Sequence, residues 1–152
     1  MTKVEEELVK AQEMARLLVK FRKSPIFFVQ SAFGLAPQTL TCEKEHDHIF
    51  KNCYSQFEKN KTLTWQQAQV LQALADGKAG RGSRRISVAS GNAIGKSSTA
   101  AWATLWFLLC HDGAQITVTS PSQSQLYDVL WKECAVWLEK MPADLRAFFE
   151  WQ

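Results

Sequence analysis

Residues 90–97 read Ser-Gly-Asn-Ala-Ile-Gly-Lys-Ser, a combination of residue types that can bind a polyphosphate. Gly91 and Gly95 allow the backbone to curl tightly, so that several N–H groups can point at one anion. Lys96 would supply a cation for the β- and γ-phosphate oxygens, and Ser97 a hydroxyl for Mg²⁺. The usual phosphate-loop pattern begins with glycine or often alanine, where this chain has serine. The alternative is a glycine-containing turn before a helix with an exposed lysine.

Two glutamines about thirty residues before the loop lysine are a second candidate for nucleotide contact. They lie in the sequence Trp65-Gln66-Gln67, and a primary amide can both donate to and accept from the edge of an adenine base. Many nucleic-acid motors place a glutamine at this distance. A polar helix face explains the same residues without a ligand. With the loop nearby, the two interpretations are balanced for Gln67, and the polar face is favoured for Gln66.

The elements around the loop are predicted from the hydrophobic pattern. Residues 85–89 alternate apolar and small side chains, which indicates a strand with Ile86 and Val88 on one face. The stretch from Gly95 to about Cys110 is apolar nearly all round, which is typical of a buried helix. A phosphate loop lies between such a strand and such a helix, so the motif stands in the context that it requires.

Further elements are predicted on both sides. Residues 64–75 indicate a helix that ends at Asp76-Gly77, and residues 115–119 indicate a second strand. Residues 120–123 resemble a capping box, with Ser120 as the N-cap and a proline at the first helical position. The helix that follows is predicted to end at Met141-Pro142. Its predicted core face consists of Leu126, Val129, Leu130, Cys134, Trp137 and Leu138. Strand, helix, strand and helix in this order predict a parallel pair with a right-handed crossover.

Residues 3–23 are predicted to form one amphipathic helix. Its apolar stripe recurs at spacings of four and three and consists of Val4, Leu8, Ala11, Ala15 and Leu18. Acidic residues occupy the first turns and basic residues the last, which complements the helix dipole. The helix stops at Ser24-Pro25 because the residue before proline is pushed out of the α region. The helix packs on its own domain or, alternatively, docks on a partner subunit.

The stretch 25–64 is less regular and includes four potential metal ligands, which are Cys42, His46, His48 and Cys53. Two thiolates and two imidazoles could complete a tetrahedral zinc site. Their spacing is not a common finger pattern. The neighbouring residues favour a helix, in which the two histidines would diverge by about 200°. We therefore expect no bound zinc, and we interpret these side chains as solvated or packed.

Length and composition define the broad class. The 152 residues suffice for one ordinary domain, and 46% apolar residues allow a core to be buried. A net charge of +3 is too small for a general nucleic-acid coat protein, so any polyanion site must be local. The longest apolar stretch is too short to cross a bilayer, and the acidic N-terminus does not resemble a signal peptide. These features predict an intracellular protein whose four cysteines are reduced.

Several sequence blocks match one family pattern in register. The blocks are Trp65-Gln66-Gln67, residues 87–97, Ala101-Trp102 with Leu105-Trp106, Val118-Thr119-Ser120-Pro121-Ser122 with Gln125, and Leu130-Trp131-Lys132-Glu133. Together they resemble the large terminase subunit of tailed bacteriophages and prophages. Phe28-Val29, Phe33-Gly34 and Pro37 are similar to the lead-in segment of that family. The resemblance covers roughly residues 20–142.

The resemblance implies part of an ATP-driven motor that packages double-stranded DNA into a capsid. The implied fold is α/β, with a P-loop, RecA-like core over residues 64–152 that is incomplete at its C-terminal end. A helical lead-in over residues 1–63 precedes it. ATP and Mg²⁺ are the implied cofactors, and the implied location is the cytoplasm of the bacterial host. The implied partners are phage DNA, the portal, the small terminase subunit and, in the full-length protein, further copies in a ring. The resemblance implies no membrane partner.

The resemblance also implies roles for individual residues. Lys96 and Ser97 would be catalytic, and Ser97 would contact Mg²⁺ together with ATP. The implied nucleotide-binding residues are Gln67, Ser90, Gly91, Asn92, Ala93, Ile94, Gly95, Lys96, Ser97 and Ser98. The basic residues just before the predicted strand fit either phosphate contact or a solvated link, and the link is favoured. These residues are Arg81, Arg84 and Arg85.

Some features of the family are absent from the sequence. No apolar strand ending in Asp-Glu follows residue 120, and Glu150 is a poor substitute for the acid that completes the Mg²⁺ site. No carboxylate cluster for a two-metal nuclease is present. Asn92 stands where some relatives have an arginine. We therefore expect the chain to be the N-terminal part of a larger ATPase and leave open whether residues 1–152 alone act as an enzyme. The alternatives are another P-loop motor, such as a helicase-like protein, and a non-catalytic interaction module.

Overall fold

The computed structural model describes residues 3–37, 62–91 and 94–149, and these residues are mostly helical. In chain order the elements are α1 (Lys3–Lys23), α2 (Pro25–Phe33), β1 (Ala36–Pro37), β2 (Thr62–Leu63), α3 (Trp65–Lys78), α4 (Lys96–Cys110), α5 (Gln123–Gln125), a π-helix (Leu126–Trp131), α6 (Lys132–Lys140) and α7 (Ala143–Arg146). The helices predicted over residues 3–23 and 95–110 are confirmed. The helix predicted to end at residue 75 continues to Lys78.

The extension of α3 depends on a glycine inside the helix. Gly77 is buried, and a side chain at this position would press on the carbonyl oxygen of Ser83. The missing side chain therefore lets the link after α3 return closely along the last turn of the helix. Interpreting this glycine as the end of the helix was wrong, because its role is close packing of backbone rather than a turn.

Helix α2 begins one residue after α1 ends. The hydroxyl of Ser24 accepts a hydrogen bond from the backbone N–H of Phe27 at 3.1 Å, and Pro25 occupies the first helical position. The helix ends at Gly34. The expectation of an irregular lead-in is therefore wrong for residues 25–33. The Ser-Pro pair both stops one helix and caps the next, so the apolar run after it becomes one buried helix.

One hydrophobic core joins the first two helices to α4 and α6. Its largest fully buried side chains include Trp106, Phe21, Phe28, Leu63, Leu71 and Leu105. The indole Nε1 of Trp106 on α4 donates to the carbonyl oxygen of Phe21 on α1 at 2.7 Å. Edge-to-face aromatic contacts continue from Phe28 through Phe33 to Trp137 on α6. The buried hydrogen bond satisfies the indole and fixes α1 against α4.

Only the C-terminal half of α1 contacts this core. Phe21 is fully buried, and Met14, Leu17 and Leu18 are partly buried against the core. Residues 4–13 are all exposed, including Val4 and Leu8 of the predicted apolar stripe. The predicted apolar stripe is therefore not the face of α1 that packs on the domain. Of its residues, only Leu18 contacts the core. The core instead takes the bulky Phe21 and Leu17, which lie about a quarter to a third of a turn away from the stripe.

The two predicted strands are the main difference between prediction and structure. Residues 85–89 and 115–119 belong to no helix or strand, so both strand predictions are wrong for the described chain. In the described residues, β1 and β2 form the only strand pair, which is parallel and two residues long. A parallel strand needs hydrogen-bonded neighbours and cover on both faces. In the described residues Val88 pairs with no strand, and its side chain is 50% exposed.

The last long helical stretch begins and turns differently from the prediction. Its N-cap is Ser122, whose hydroxyl accepts from the backbone N–H of Gln125 at 3.3 Å, and not Ser120. The π-helix then interrupts α-helical periodicity, because i→i+5 bonding rotates the following residues around the axis. Cys134, Trp137 and Leu138 of the predicted core face are buried, as predicted, whereas Val129 within the π-helix is 47% exposed.

None of the helices in the described part of the chain is long and apolar enough to cross a membrane.

Candidate phosphate-binding site

Gly95 begins α4 in a conformation that suits glycine. Its φ of 83° and ψ of 24° lie in the left-handed region, where side chains with a Cβ are strained. Its carbonyl oxygen accepts from the backbone N–H of Thr99 at 3.0 Å and from the Thr99 hydroxyl at 2.9 Å. No side chain caps the start of the helix. The first N–H groups of α4 therefore have no side-chain acceptor at the positive end of the helix dipole, and uncapped helix N-termini of this kind can bind anions.

The side chain of Lys96 folds back over the loop. Its Nζ donates to the carbonyl oxygen of Ser90 at 3.2 Å and makes a shorter bond to the carbonyl oxygen of Gly91. Both bonds are exposed. The ammonium group thereby connects the start of α4 to the first residues of the loop. Ile94 is exposed and Ser97 is half-buried beside them. Asn92 and Ala93 lie outside the described residues.

Gln67 connects the start of α3 to this loop. Its Oε1 accepts from the backbone N–H of Thr64 at 3.0 Å, while the Thr64 hydroxyl accepts from the Gln67 backbone N–H at 3.3 Å. These reciprocal bonds form a capping box. The amide Nε2 donates to the carbonyl oxygen of Gly95 at 3.4 Å. The amide predicted to read a base thus caps α3 and contacts Gly95, the N-cap residue of α4.

Replacing Gly95 with alanine tests this contact. The left-handed φ should cost about 1–2 kcal/mol in unfolding free energy. A Cβ at this position would also clash with the Gln67 amide. We expect Gly95→Ala to be less destabilising in a Gln67→Ala background than in the natural chain, because the second change removes the clash and leaves the strain. Urea denaturation of the four chains in this double-mutant cycle measures the difference. Equal costs in both backgrounds would show that the two residues do not touch in solution.

The hydroxyl of Ser98 contacts α6, while the residue also lines the cavity beside the loop. Its hydroxyl donates to Oε1 of Glu133 in a short hydrogen bond, and the indole Nε1 of Trp137 donates to the same oxygen at 2.9 Å. The three groups are partly buried. This cluster ties the first turn of the loop helix to α6. The predicted nucleotide contact of Ser98 would require that bond to be exchanged.

Removing the carboxylate should loosen this connection. We expect Glu133→Ala to lower the unfolding free energy by about 1–3 kcal/mol, because two partly buried donors lose their acceptor. Glu133→Gln is the matched control, since its amide oxygen can still accept both bonds, and it should recover most of the loss. Thermal and urea unfolding would measure both variants. If Glu133→Gln lost as much stability as Glu133→Ala, the charge rather than the acceptor geometry would be what matters.

A cavity of about 710 Å³ adjoins the loop. That volume lies within the range of small-molecule and cofactor sites, roughly 300–1,000 Å³. Aromatic and aliphatic side chains form much of its wall, and polar groups converge at the loop end. The lining includes Trp65, Gln66, Gln67, Val70, Leu74, Ile86, Val88, Gly95, Lys96, Thr99 and Trp102. The cavity therefore combines largely apolar walls with the side chain of Lys96.

The three arginines after α3 have different surroundings. Arg81 forms an ion pair with Asp76 at 2.8 Å, and the neighbouring Gln72 amide and Arg81 guanidinium hold the pKa of the Asp76 carboxyl below its usual range. The guanidinium of Arg81 thus bonds the last turns of α3 through Asp76, whereas Arg84 and Arg85 are exposed.

The other potential ligands fall outside the structure or are not grouped in it. Glu150 lies outside the described residues, as do Cys42, His46, His48 and Cys53. Within residues 3–37, 62–91 and 94–149, no three His, Cys, Asp or Glu side chains converge as a metal site would require.

The contact of Glu133 with Ser98 and the capping role of Gln67 are not among the sequence predictions. Glu133 belongs to one of the blocks that carry the resemblance, and nothing in the spacing of the sequence links it to Ser98. The capping role of Gln67 did have a signal, because Thr64 and Gln67 fit the Ser/Thr-x-x-Glu/Gln signature.

Comparison with known proteins adds no assignment: no family model, no curated protein and no solved structure matches this chain.

Proposed function

We propose that the chain binds ATP with Mg²⁺ through residues 90–98, and that it is the ATP-binding part of a motor that packages phage DNA. The observation that carries nucleotide binding is the uncapped N-terminus of α4, which begins at a left-handed Gly95 and presents Lys96 at the loop. The DNA-packaging part of the proposal rests on the resemblance of the sequence blocks to large terminase subunits.

The described residues fit a nucleoside triphosphate. The α4 N-terminus offers backbone donors and a positive dipole for the β-phosphate, and Lys96 can exchange its carbonyl partners for phosphate oxygens. The adjoining cavity accommodates the nucleoside, with Trp65 and Gln66 among its walls. Ser97 in the first turn of α4 would hold Mg²⁺ together with the phosphates. When bound, the metal would neutralise charge on the β- and γ-phosphates.

Competition between nucleotides tests the proposal. A fluorescent ATP analogue would be bound to the full chain and displaced with ATP, ADP or AMP in the presence of Mg²⁺. ATP and ADP should compete strongly, whereas AMP should compete at least tenfold more weakly because it lacks the phosphate that the α4 N-terminus binds. Equal competition by AMP would show that the loop does not bind the β-phosphate.

Hydrolysis is expected to be very slow or absent in residues 1–152, because the acid that supports Mg²⁺ and a group that orients water are not recognisable in the sequence. Phosphate release at the rate of a working motor would show that the acid has been overlooked. Stimulation of turnover by duplex DNA would favour a packaging motor.

A further inference from the structure

One side of α1 is an exposed apolar stripe, here called the outer stripe. It consists of Val4, Leu8, Ala11, Ala15 and Val19. Val4 is 74% exposed, Leu8 59% and Val19 56%, and the two alanines are exposed as well. Spacings of four, three, four and four place these residues on one face of the helix. At 1.5 Å per residue the outer stripe is about 22 Å long.

The outer stripe is separate from the face that the fold uses. Phe21, Leu17 and Met14 turn toward the core, about a quarter to a half turn away from the outer stripe. Residues 4–13 are all exposed, so the first half of α1 extends beyond the packed body. A continuous apolar line on a projecting helix is typical of a surface that pairs with another helix.

The charges of α1 indicate which helix fits. Glu5, Glu6 and Glu7 follow the start, and Lys20, Arg22 and Lys23 occupy the last turn. A parallel copy would place acidic turns beside acidic turns and basic beside basic. An antiparallel copy would place the acidic start of each helix beside the basic end of the other, which is favourable at both ends.

We propose that the outer stripe pairs with the outer stripe of a second copy of this chain in antiparallel orientation. Val4 of one copy then lies near Val19 of the other, and Leu8 lies near Ala15. The projecting half of each helix covers the stripe along the anchored half of its partner. The contact is a helix pair of about 22 Å, so it forms a weak dimer in the micromolar range rather than an obligate one. This association does not depend on nucleotide binding.

Molecular mass in solution tests the pairing. Sedimentation equilibrium of the full chain should show a monomer–dimer equilibrium at concentrations from about 1 to 200 μM. Leu8→Gln should weaken dimerisation at least tenfold. Glu13→Gln is the matched control on the opposite side of α1 and should leave the equilibrium unchanged. Glutamine is a good helix former in both places, and circular dichroism would verify that α1 persists. A chain that stays monomeric throughout, or that dimerises equally as Leu8→Gln, would overturn the proposal and indicate a different occupant of the stripe.

Cross-linking tests the orientation. Single cysteines would be introduced as Val4→Cys and Val19→Cys in a Cys42→Ser, Cys53→Ser background, in which the remaining Cys110 and Cys134 are buried. A short bismaleimide should link Val4→Cys chains to Val19→Cys chains at least fivefold faster than either variant to itself. Preferential linking of Val4→Cys to Val4→Cys would indicate parallel helices and overturn the proposal.

Discussion

Replacing Lys96 with alanine is expected to weaken ATP binding about thirtyfold or more. The ammonium group of Lys96 lies at the loop, where it donates to the carbonyl oxygens of Ser90 and Gly91. A charge-assisted contact of this kind contributes about 2 kcal/mol, and each 1.4 kcal/mol corresponds to a tenfold change in Kd. Fluorescent-nucleotide titration of the two chains would measure the loss.

A matched lysine controls for net charge. Lys132 is an exposed lysine at the start of α6, so Lys132→Ala removes the same charge from a different surface. We expect Lys132→Ala to bind ATP like the natural chain. Because the bonds of Lys96 are exposed, Lys96→Ala should unfold at nearly the natural temperature. Equal ATP affinity in the Lys96→Ala and natural chains would contradict the assignment of the phosphate loop.

The largest loss of stability is expected for Trp106→Ala, at about 3–5 kcal/mol. Trp106 is only 2% exposed, and its indole bonds the carbonyl oxygen of Phe21 across the junction of α1 and α4. Alanine would leave a cavity in the centre of the core and break that bond. Urea unfolding monitored by circular dichroism would measure the change without relying on tryptophan fluorescence.

A second tryptophan on the same helix separates the hydrogen bond from the packing. Trp102 is also buried on α4, but its indole nitrogen has no hydrogen-bond partner among the described residues. Trp106→Phe removes the hydrogen bond between the indole and the Phe21 carbonyl oxygen. Trp102→Phe removes only a buried N–H donor that has no acceptor among the described residues. We therefore expect Trp106→Phe to cost at least about 1 kcal/mol more than Trp102→Phe. Equal costs would mean that the bond to Phe21 contributes nothing net.

Helix positions were predictable where a local signal sets them. The charge order of residues 3–23 and the apolar stretch after Gly95 each specify a helix from neighbouring residues alone, and the structure has both helices. Helix caps carry the same kind of local information. Ser24-Pro25 and the pair Thr64 and Gln67 are recognisable cap signatures, which indicate the start of α2 and the capping role of the Gln67 amide.

Features that depend on distant partners were not predictable. Strand patterns at residues 85–89 and 115–119 describe side-chain alternation, but a strand exists only where another strand pairs with it. The face of α1 that packs inward is set by Trp106, eighty-five residues from Phe21, and no periodicity within α1 reveals that choice. The Ser98 and Glu133 contact likewise follows from how α4 meets α6. The local chemistry of the loop was therefore accessible from the sequence, whereas its connections to α3 and α6 required the structure.

The buried thiols of Cys110 on α4 and Cys134 on α6 can report local unfolding of the helices that carry them. Burial raises the pKa of Cys110 to about 12 and that of Cys134 to about 11. Near neutral pH both sulfurs are almost entirely in the thiol form, which alkylating reagents attack poorly. Alkylation therefore requires a fluctuation that exposes the sulfur to solvent and returns its pKa to the ordinary value. The alkylation rate of Cys110 therefore measures how often α4 opens, and the alkylation rate of Cys134 measures how often α6 opens. These two helices are the ones that the Ser98–Glu133 hydrogen bond joins.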